Sequence, residues 1–426
     1  MRPWIIFLIF LCAPPRLFPQ SQGPSSVPAE PKGAASLTAL AQEAMDRDPE
    51  IQAAKRAVQA KRARVPQAGA WPDPKLSVSY GGNVLPPFTV MAGDPSSARQ
   101  IMAEQEIPYP GKTRLRTGIA SRDADAETLA YEAVWRRIGA EVKQAYFDLW
   151  FTDQSLATLR KDRELLEKFE KIAEIRYSVG KAVQQDVLKA QVELTRLIER
   201  QTVLEQARQT FQAQLNSLRN LPVETPIDTR GEVSPSNLSS SLDELQAAAQ
   251  ANYPVLKQQR TMVEENRLLV DLAKREVRPD FSVGYAYMQR DRLPDMYGIT
   301  LSTSLPIFRH RKQAMAIAEA AANLESSRQM EANALTMLRY RVKQEFLDVQ
   351  ASEQLLKLYS QGIVPQSSLA LESSISGYET GAVDFLNVLS NFSTVLDYEL
   401  SYKQQIANHE KALARLEELT ALNLIQ

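Results

Sequence analysis

The sequence predicts a mainly α chain with a small β part, in which long antiparallel helical hairpins occur twice and four short strands accompany them. Three observations carry this. YSVGKAVQQDVL, Tyr177 to Leu188, returns as YETGAVDFLNVL, Tyr378 to Leu389, a spacing too long for a solenoid and right for a duplicated domain. No proline interrupts Thr113 to Arg176, where apolar residues recur at three and four. Four short segments alternate apolar with small polar residues, the period of a strand with two unlike faces.

The 426 residues are 44% hydrophobic and 24% charged, with net charge −1, a balance that gives no reason to expect nucleic acid as a partner. Arg2 precedes an apolar run, Trp4 to Ala13, and a Pro-rich segment follows to Gly33. Residues 1–33 are therefore expected to be a secretory signal and polar leader, the run being too short to span a bilayer. The one cysteine, Cys12, follows bulky Leu11 inside that leader, so lipidation is not expected. No cofactor and no metal site are expected: the two histidines, His310 and His409, lie in different segments. Met288, Met296, Met315, Met330 and Met337 are scattered and read as core filler rather than a metal relay.

The first repeat is assigned to 34–223. Ser36 to Ala70 is helical with a break at Pro49, and Pro72 and Pro74 stop it. Lys75 to Gly81 alternates strictly; strands are expected at about 75–83 and 99–107, joined by a Gly- and Pro-rich loop and closed by IPYPGK, Ile107 to Lys112. Next comes a helix of about 64 residues, roughly 95 Å at 1.5 Å per residue. Its seam is Ile138, Val142, Ala145, Leu149, Thr152, Leu156 and Leu159. Gly180 ends that helix at a tip, 177–186, because glycine supplies the left-handed turn a helix end needs. The chain returns antiparallel with a seam running from Val187 to Leu218, and Pro222 and Pro226 close the repeat.

Residues 224–241 form an equatorial connection, and 242–426 repeat the order. Leu37 to Tyr80 aligns without a gap on Leu242 to Tyr285 with a dozen identities, Pro49 on Pro254 and Pro74 on Pro279 among them. Strands are expected at about 280–288 and 296–305, then a second long helix to about Ser376, a tip at 378–387 with Gly381, and a final helix. In each repeat the two shorter helices together match the long one, so they can lie end to end beside it.

Strands with one apolar face and one of Ser, Gly, Thr or Ala suit a membrane barrel with a wet lumen. Four cannot close alone, and open edges are not tolerated in lipid. At this point the chain resembles the outer-membrane efflux protein family, the TolC-like outer-membrane factors. The resemblance rests on the duplicated order of elements, on EQEIPYPGK (Glu104 to Lys112) and on YSVGKAVQQDVLKAQ (Tyr177 to Gln191); PYPGK is most like the heavy-metal and small-solute resistance branch. It implies a homotrimer with a shared twelve-stranded outer-membrane barrel in lipid and an α-barrel tunnel across the periplasm. It also implies a periplasmic adaptor, an inner-membrane efflux transporter of the RND type, and passive conduction without enzymatic chemistry. The alternative is a periplasmic coiled-coil adaptor or scaffold, which would carry one hairpin flanked by small β domains.

Carboxylates at a narrow mouth would select cations. The gate candidates are Asp186 and Asp384 with Gln184, Gln185 and Asn387. The family places a carboxylate where Asp186 stands and another where Asn387 stands, and here the second is an amide. The competing role for each acid is a helix N-terminal charge. Val179, Gly180, Lys181 and Ala182, with Thr380, Gly381, Ala382 and Val383, resemble the family's adaptor-contact grooves. Tyr177 and Tyr378 read as packing residues.

Overall fold

The computed structural model describes residues 36–82, 90–229, 231 and 233–425. The expected leader at 1–33, and the strand end beyond Gly82, lie outside them.

The amino-terminal helix is split where the sequence places Pro49. In α1 (Leu37–Arg47) the Ser36 side chain caps the start; α2 (Pro49–Gly69) begins with its proline at the first turn and Asp48 accepting from the Glu50 and Ile51 amides at 2.8 and 3.1 Å. Proline costs nothing there, since the first turn has no intrahelical use for its N–H. The same solution recurs in α5 (Leu242–Asn252), which has a Ser241/Glu244 capping box, and α6 (Pro254–Arg275).

Strands β1 (Lys75–Gly81), β2 (Ala98–Ile107), β3 (Phe281–Gln289) and β4 (Met296–Thr303) form one antiparallel sheet in chain order. The last strand ends two residues short of the expected 305 because Pro306 cannot continue a ladder and displaces the residue before it. Sequence reasoning treated the strands as two hairpins; β2 and β3 also pair, Ile107 opposite Phe281 and Arg99 opposite Gln289.

The long helix α3 (Lys112–Ser178) has 67 residues, and α1, α2 and α4 (Gln184–Leu218), with 11, 21 and 35, together match it. All seven predicted seam residues, Ile138 to Leu159, are buried. The second long helix is not continuous as expected. It runs as α7 (Gln313–Leu358), a π segment at Tyr359–Ile363, and α8 (Val364–Thr380) before α9 (Phe385–Thr420). Pro365 has no N–H to offer the carbonyl one turn back, and a wider turn absorbs that loss.

Above the equator α2, α3, α6 and α7 are successive neighbours; below it α4, α3, α9 and α8 are. The connection between repeats is tied to the middle of this bundle. Asn216 donates to the Val223 and Thr225 carbonyls (3.1 and 2.8 Å), Thr229 to Asp153 (2.6 Å) and Trp150 to the Gly231 carbonyl (2.8 Å). On the other repeat Glu410 accepts from the Ser236 amide (2.6 Å), and buried His409 lies between the Ser236 carbonyl and Ser352. These bonds give several backbone groups of this irregular segment partners on the helices.

Candidate functional site

The tips form because two glycines take the left-handed conformation, Gly180 at φ +72° and Gly381 at φ +81°. Behind each, the amide five residues on closes the last helical turn: Lys181 to Arg176 O and Ala382 to Gly377 O, both 2.8 Å. This is the bond pattern glycine-terminated helices use. Val179, Gly180, Lys181, Thr380, Gly381 and Ala382 are exposed, and Ala182 and Val383 half-buried. A Cβ on either tip glycine would touch nothing within 4 Å, so the turns need glycine for backbone sign rather than for space.

The gate candidates are not equivalent. Asp186 is buried, 6% exposed, in the first turn of α4, whereas Asp384, Asn387, Gln184 and Gln185 are exposed. Asp384 sits at the N-cap of α9 and makes no capping bond with its side chain, a position where its charge also suits the positive end of the helix dipole. Burial, and then the charge of Asp384, push the Asp186 carboxyl above the ordinary aspartate range. The two tips of one chain therefore bring their unlike carboxylates within each other's field. On acidification Asp186 should therefore lose its charge at a higher pH than an ordinary aspartate, and any cation preference set there should fall with it. In Asp384→Ala that loss should move to lower pH; reversal potentials in a salt gradient would measure both.

Arg176, which sequence reasoning passed over, joins the two tips. Its guanidinium donates to the backbone oxygens of Tyr378 (2.6 Å) and Glu379 (2.9 Å) and lies 4.3 Å from the Tyr378 ring centroid. Tyr378 is buried against Phe385, whereas Tyr177, expected to pack as well, is 47% exposed. Phe169, Ile172, Ile375 and Val388 complete a cleft of about 280 Å³ around this contact. One signal was available: where the first copy has Arg176 before its tyrosine, the second has Gly377.

Higher up, the α3 seam passes from Leu156 and Leu159 to Asp162 before Leu166, Phe169 and Ala173 resume it. Lys403 of α9 donates beside it to Thr158 Oγ1 and to the Gln154 carbonyl (3.2 Å). Tyr398, next to Glu399, meets Tyr359 at the start of the π segment at 6.3 Å. Burial, then Glu399, push Asp162 up to about 6, against the opposing pull of Lys161 and Lys403. The folded state thus holds its proton more tightly than the unfolded chain, and this layer loses stability as pH rises through 4 to 6. Asp162→Asn should flatten that dependence. The expected gain at pH 7 is about 1 kcal/mol, the full linkage value being cut by solvent and by neighbouring charges; melting midpoints at pH 5 and pH 7 test it.

Among the described residues nothing covers the apolar face of the sheet. Leu76, Val78, Ile101, Tyr285, Tyr297, Ile299 and Leu301 are 50–81% exposed, and the register gathers them into rungs: Leu76–Ala103–Tyr285–Ile299, and Val78–Ile101–Tyr287–Tyr297. The opposite face carries Ser77, Ser79, Gln100, Glu104, Ser282, Thr300 and Ser302. Tyr287 and Tyr297 stand at one end of the band and Phe281 and Trp71 at the other, as in the aromatic girdles of outer-membrane strands. Among the described residues no helix is long and apolar enough to cross a membrane. Met315, Met330 and Met337 are not core filler: they are 45–60% exposed, on a flank of α7 that also carries Tyr340 and Leu347.

Residues 40–221 match the family model described as outer membrane efflux protein. The cobalt-zinc-cadmium resistance protein CzcC of Cupriavidus metallidurans is 23% identical over 392 residues, 89% of each chain. Among solved structures, the outer-membrane channel OprN shares the fold at TM-score 0.78 and 14% identity, over 92% of this chain and 91% of its own. The outer membrane protein VceC from Vibrio cholerae does so at 0.78 and 16%, over 91% and 96%. The match covers the first repeat, an internal copy of that repeat follows it, and the fold is shared over nine-tenths of the chain's length, so that the chain resembles the outer membrane efflux protein family.

Proposed function

We infer that three copies of this chain form an outer-membrane channel of a tripartite efflux system, conducting solutes passively from an inner-membrane transporter of the RND type and a periplasmic adaptor. The observation that carries it is a sheet with a lipid-type outer face whose edge strands, β1 and β4, have no further strand beside them among the described residues. Bilayers do not tolerate such edges, and a second copy supplies the missing partner with no new sequence. The helices ask for the same closure. Among the described residues α3 has neighbours on both flanks at each level, whereas α7 packs mainly on α6, α9 and α5, and α2 mainly on α3. The free flank of α7 carries Met330, Met337, Tyr340 and Leu347, spaced as a second heptad seam.

The tips are then the periplasmic mouth, with Asp186 and Asp384 as its cation-selecting carboxylates, Gln184, Gln185 and Asn387 as their polar neighbours, and the exposed tip backbones as the adaptor's contact. The likeness to a metal-resistance protein favours metal cations among the solutes. Planar-bilayer conductance of the full-length chain, with Asp186→Ala and Asp384→Ala, tests the assignment: each should lower cation preference, and unchanged selectivity in both would remove the carboxylates from the gate. Recovery of the chain as a soluble periplasmic monomer would sink the channel itself. A deletion strain challenged with cobalt, zinc and cadmium salts, dyes and antibiotics addresses the solute.

A further inference from the structure

The repeats differ at the junctions where a strand gives way to a long helix. In the first junction Pro108 and Lys112 are buried, and the Lys112 charge is met by Asp280 and Glu276, each at 2.9 Å. In the second, Leu305, Ile307 and Phe308 are 73, 75 and 69% exposed, and Arg309, His310, Arg311 and Lys312 follow, all exposed. Among the described residues no side-chain hydrogen bond or ion pair engages these four. Three full positive charges in four residues repel one another, and the first turn of α7 adds its own positive end rather than offsetting them.

A neighbouring copy does not offer the missing counter-charge in the same way. The ungapped repeat alignment puts Lys75 and Trp71 where the first junction draws on Asp280 and Glu276. The position of the segment points elsewhere. It follows β4 directly, so Leu305 and Ile307 continue the outward band of Ile299 and Leu301, and the basic run begins where that band ends.

We propose that Leu305 to Lys312 is a lipid-binding patch, with Leu305, Ile307 and Phe308 in the acyl region and Arg309, Arg311 and Lys312 holding the phosphates of anionic phospholipids in the periplasm-facing leaflet. Guanidinium forks match phosphate oxygens, and long basic side chains reach the headgroups from an apolar base. The patch rests on the barrel described above. It would fix how deep the barrel sits, at the level where membrane gives way to periplasmic helix.

The test uses the full-length chain in phosphatidylcholine vesicles with and without phosphatidylglycerol, reading co-purified lipid by native mass spectrometry. Wild type should retain phosphatidylglycerol over phosphatidylcholine by about tenfold or more, each cation contributing roughly fivefold near a charged surface. The triple variant Arg309→Gln, Arg311→Gln, Lys312→Gln should fall to near parity while keeping its oligomer size and conductance. Equal retention by wild type and variant overturns the patch and leaves the barrel standing. Displacement of the lipid by inorganic phosphate reduces it to a simple anion site and also overturns it. Loss of the oligomer in the variant assigns the segment to a second copy instead. If neither protein floats with the vesicles, the barrel itself fails and the patch with it.

Discussion

Lys112→Ala will lower the melting midpoint of the detergent-solubilised protein by roughly 3–6 °C, on unfolding entropies scaled to this length, and weaken the seat of the sheet on the helices. Lys112 is 1% exposed at the first residue of α3. Its ammonium meets Glu276 at 2.9 Å and both oxygens of Asp280 at 2.9 and 3.0 Å, while the Tyr109 amide donates to Asp280 at 2.6 Å. Burial alone would raise the Asp280 carboxyl; the Tyr109 amide, Lys112 and Arg116 overcome it and hold the group below its ordinary value. One cation thereby ties the end of β2 and the start of α3 to the end of α6 and the start of β3, across the two repeats. Breaking such a pair costs about 3 kcal/mol here, the low end of the usual range, because Glu276 and Asp280 keep some solvent. Lys112→Met should lose nearly as much, since it keeps the stem and drops only the charge; recovery of wild-type stability in Lys112→Met would show that packing, not the ion pair, holds the junction.

Much of the fold was legible because it is written in spacing. The α3 seam followed from apolar residues at three and four, and the breaks at Pro49 and Pro254 from a residue favoured in a first turn. Register within the sheet followed less well: the β2–β3 pairing joins segments about 180 residues apart, and nothing local to either strand announces it. The π segment escaped because Pro365 is one residue in a run that is otherwise a good helix. At the tips, glycine revealed the turns, but the contact between them is an arginine reaching backbone oxygens, and acceptors of that kind leave no side-chain signature. Lys112 stood in plain view within IPYPGK, yet its partners lie in the other repeat, where only the folded chain brings Glu276 and Asp280 to it.

Arg176→Ala should open the mouth. The guanidinium spans from the last turns of α3 to the end of α8, donating to two carbonyls at 2.6 and 2.9 Å and covering the Tyr378 ring. Hydrogen bonds from a charged donor contribute 1.5–3 kcal/mol each when buried and the ring contact about 0.5–1 kcal/mol. Arg176 is half-buried, so about 2 kcal/mol per protomer is the appropriate figure for the whole contact. Losing it shifts a two-state tip roughly thirtyfold toward the open arrangement, read as higher conductance and longer openings in planar bilayers. Arg176→Lys should fall between wild type and alanine, because a single ammonium cannot fork to two carbonyls. Tyr378→Leu keeps both acceptors and deletes only the ring, so its effect should be the smallest of the three. Arg176 holds the tips together as a latch only if conductance follows that order. A conductance unchanged in Arg176→Ala would mean that the apolar contacts of Phe169, Phe385 and Val388 close the mouth without it.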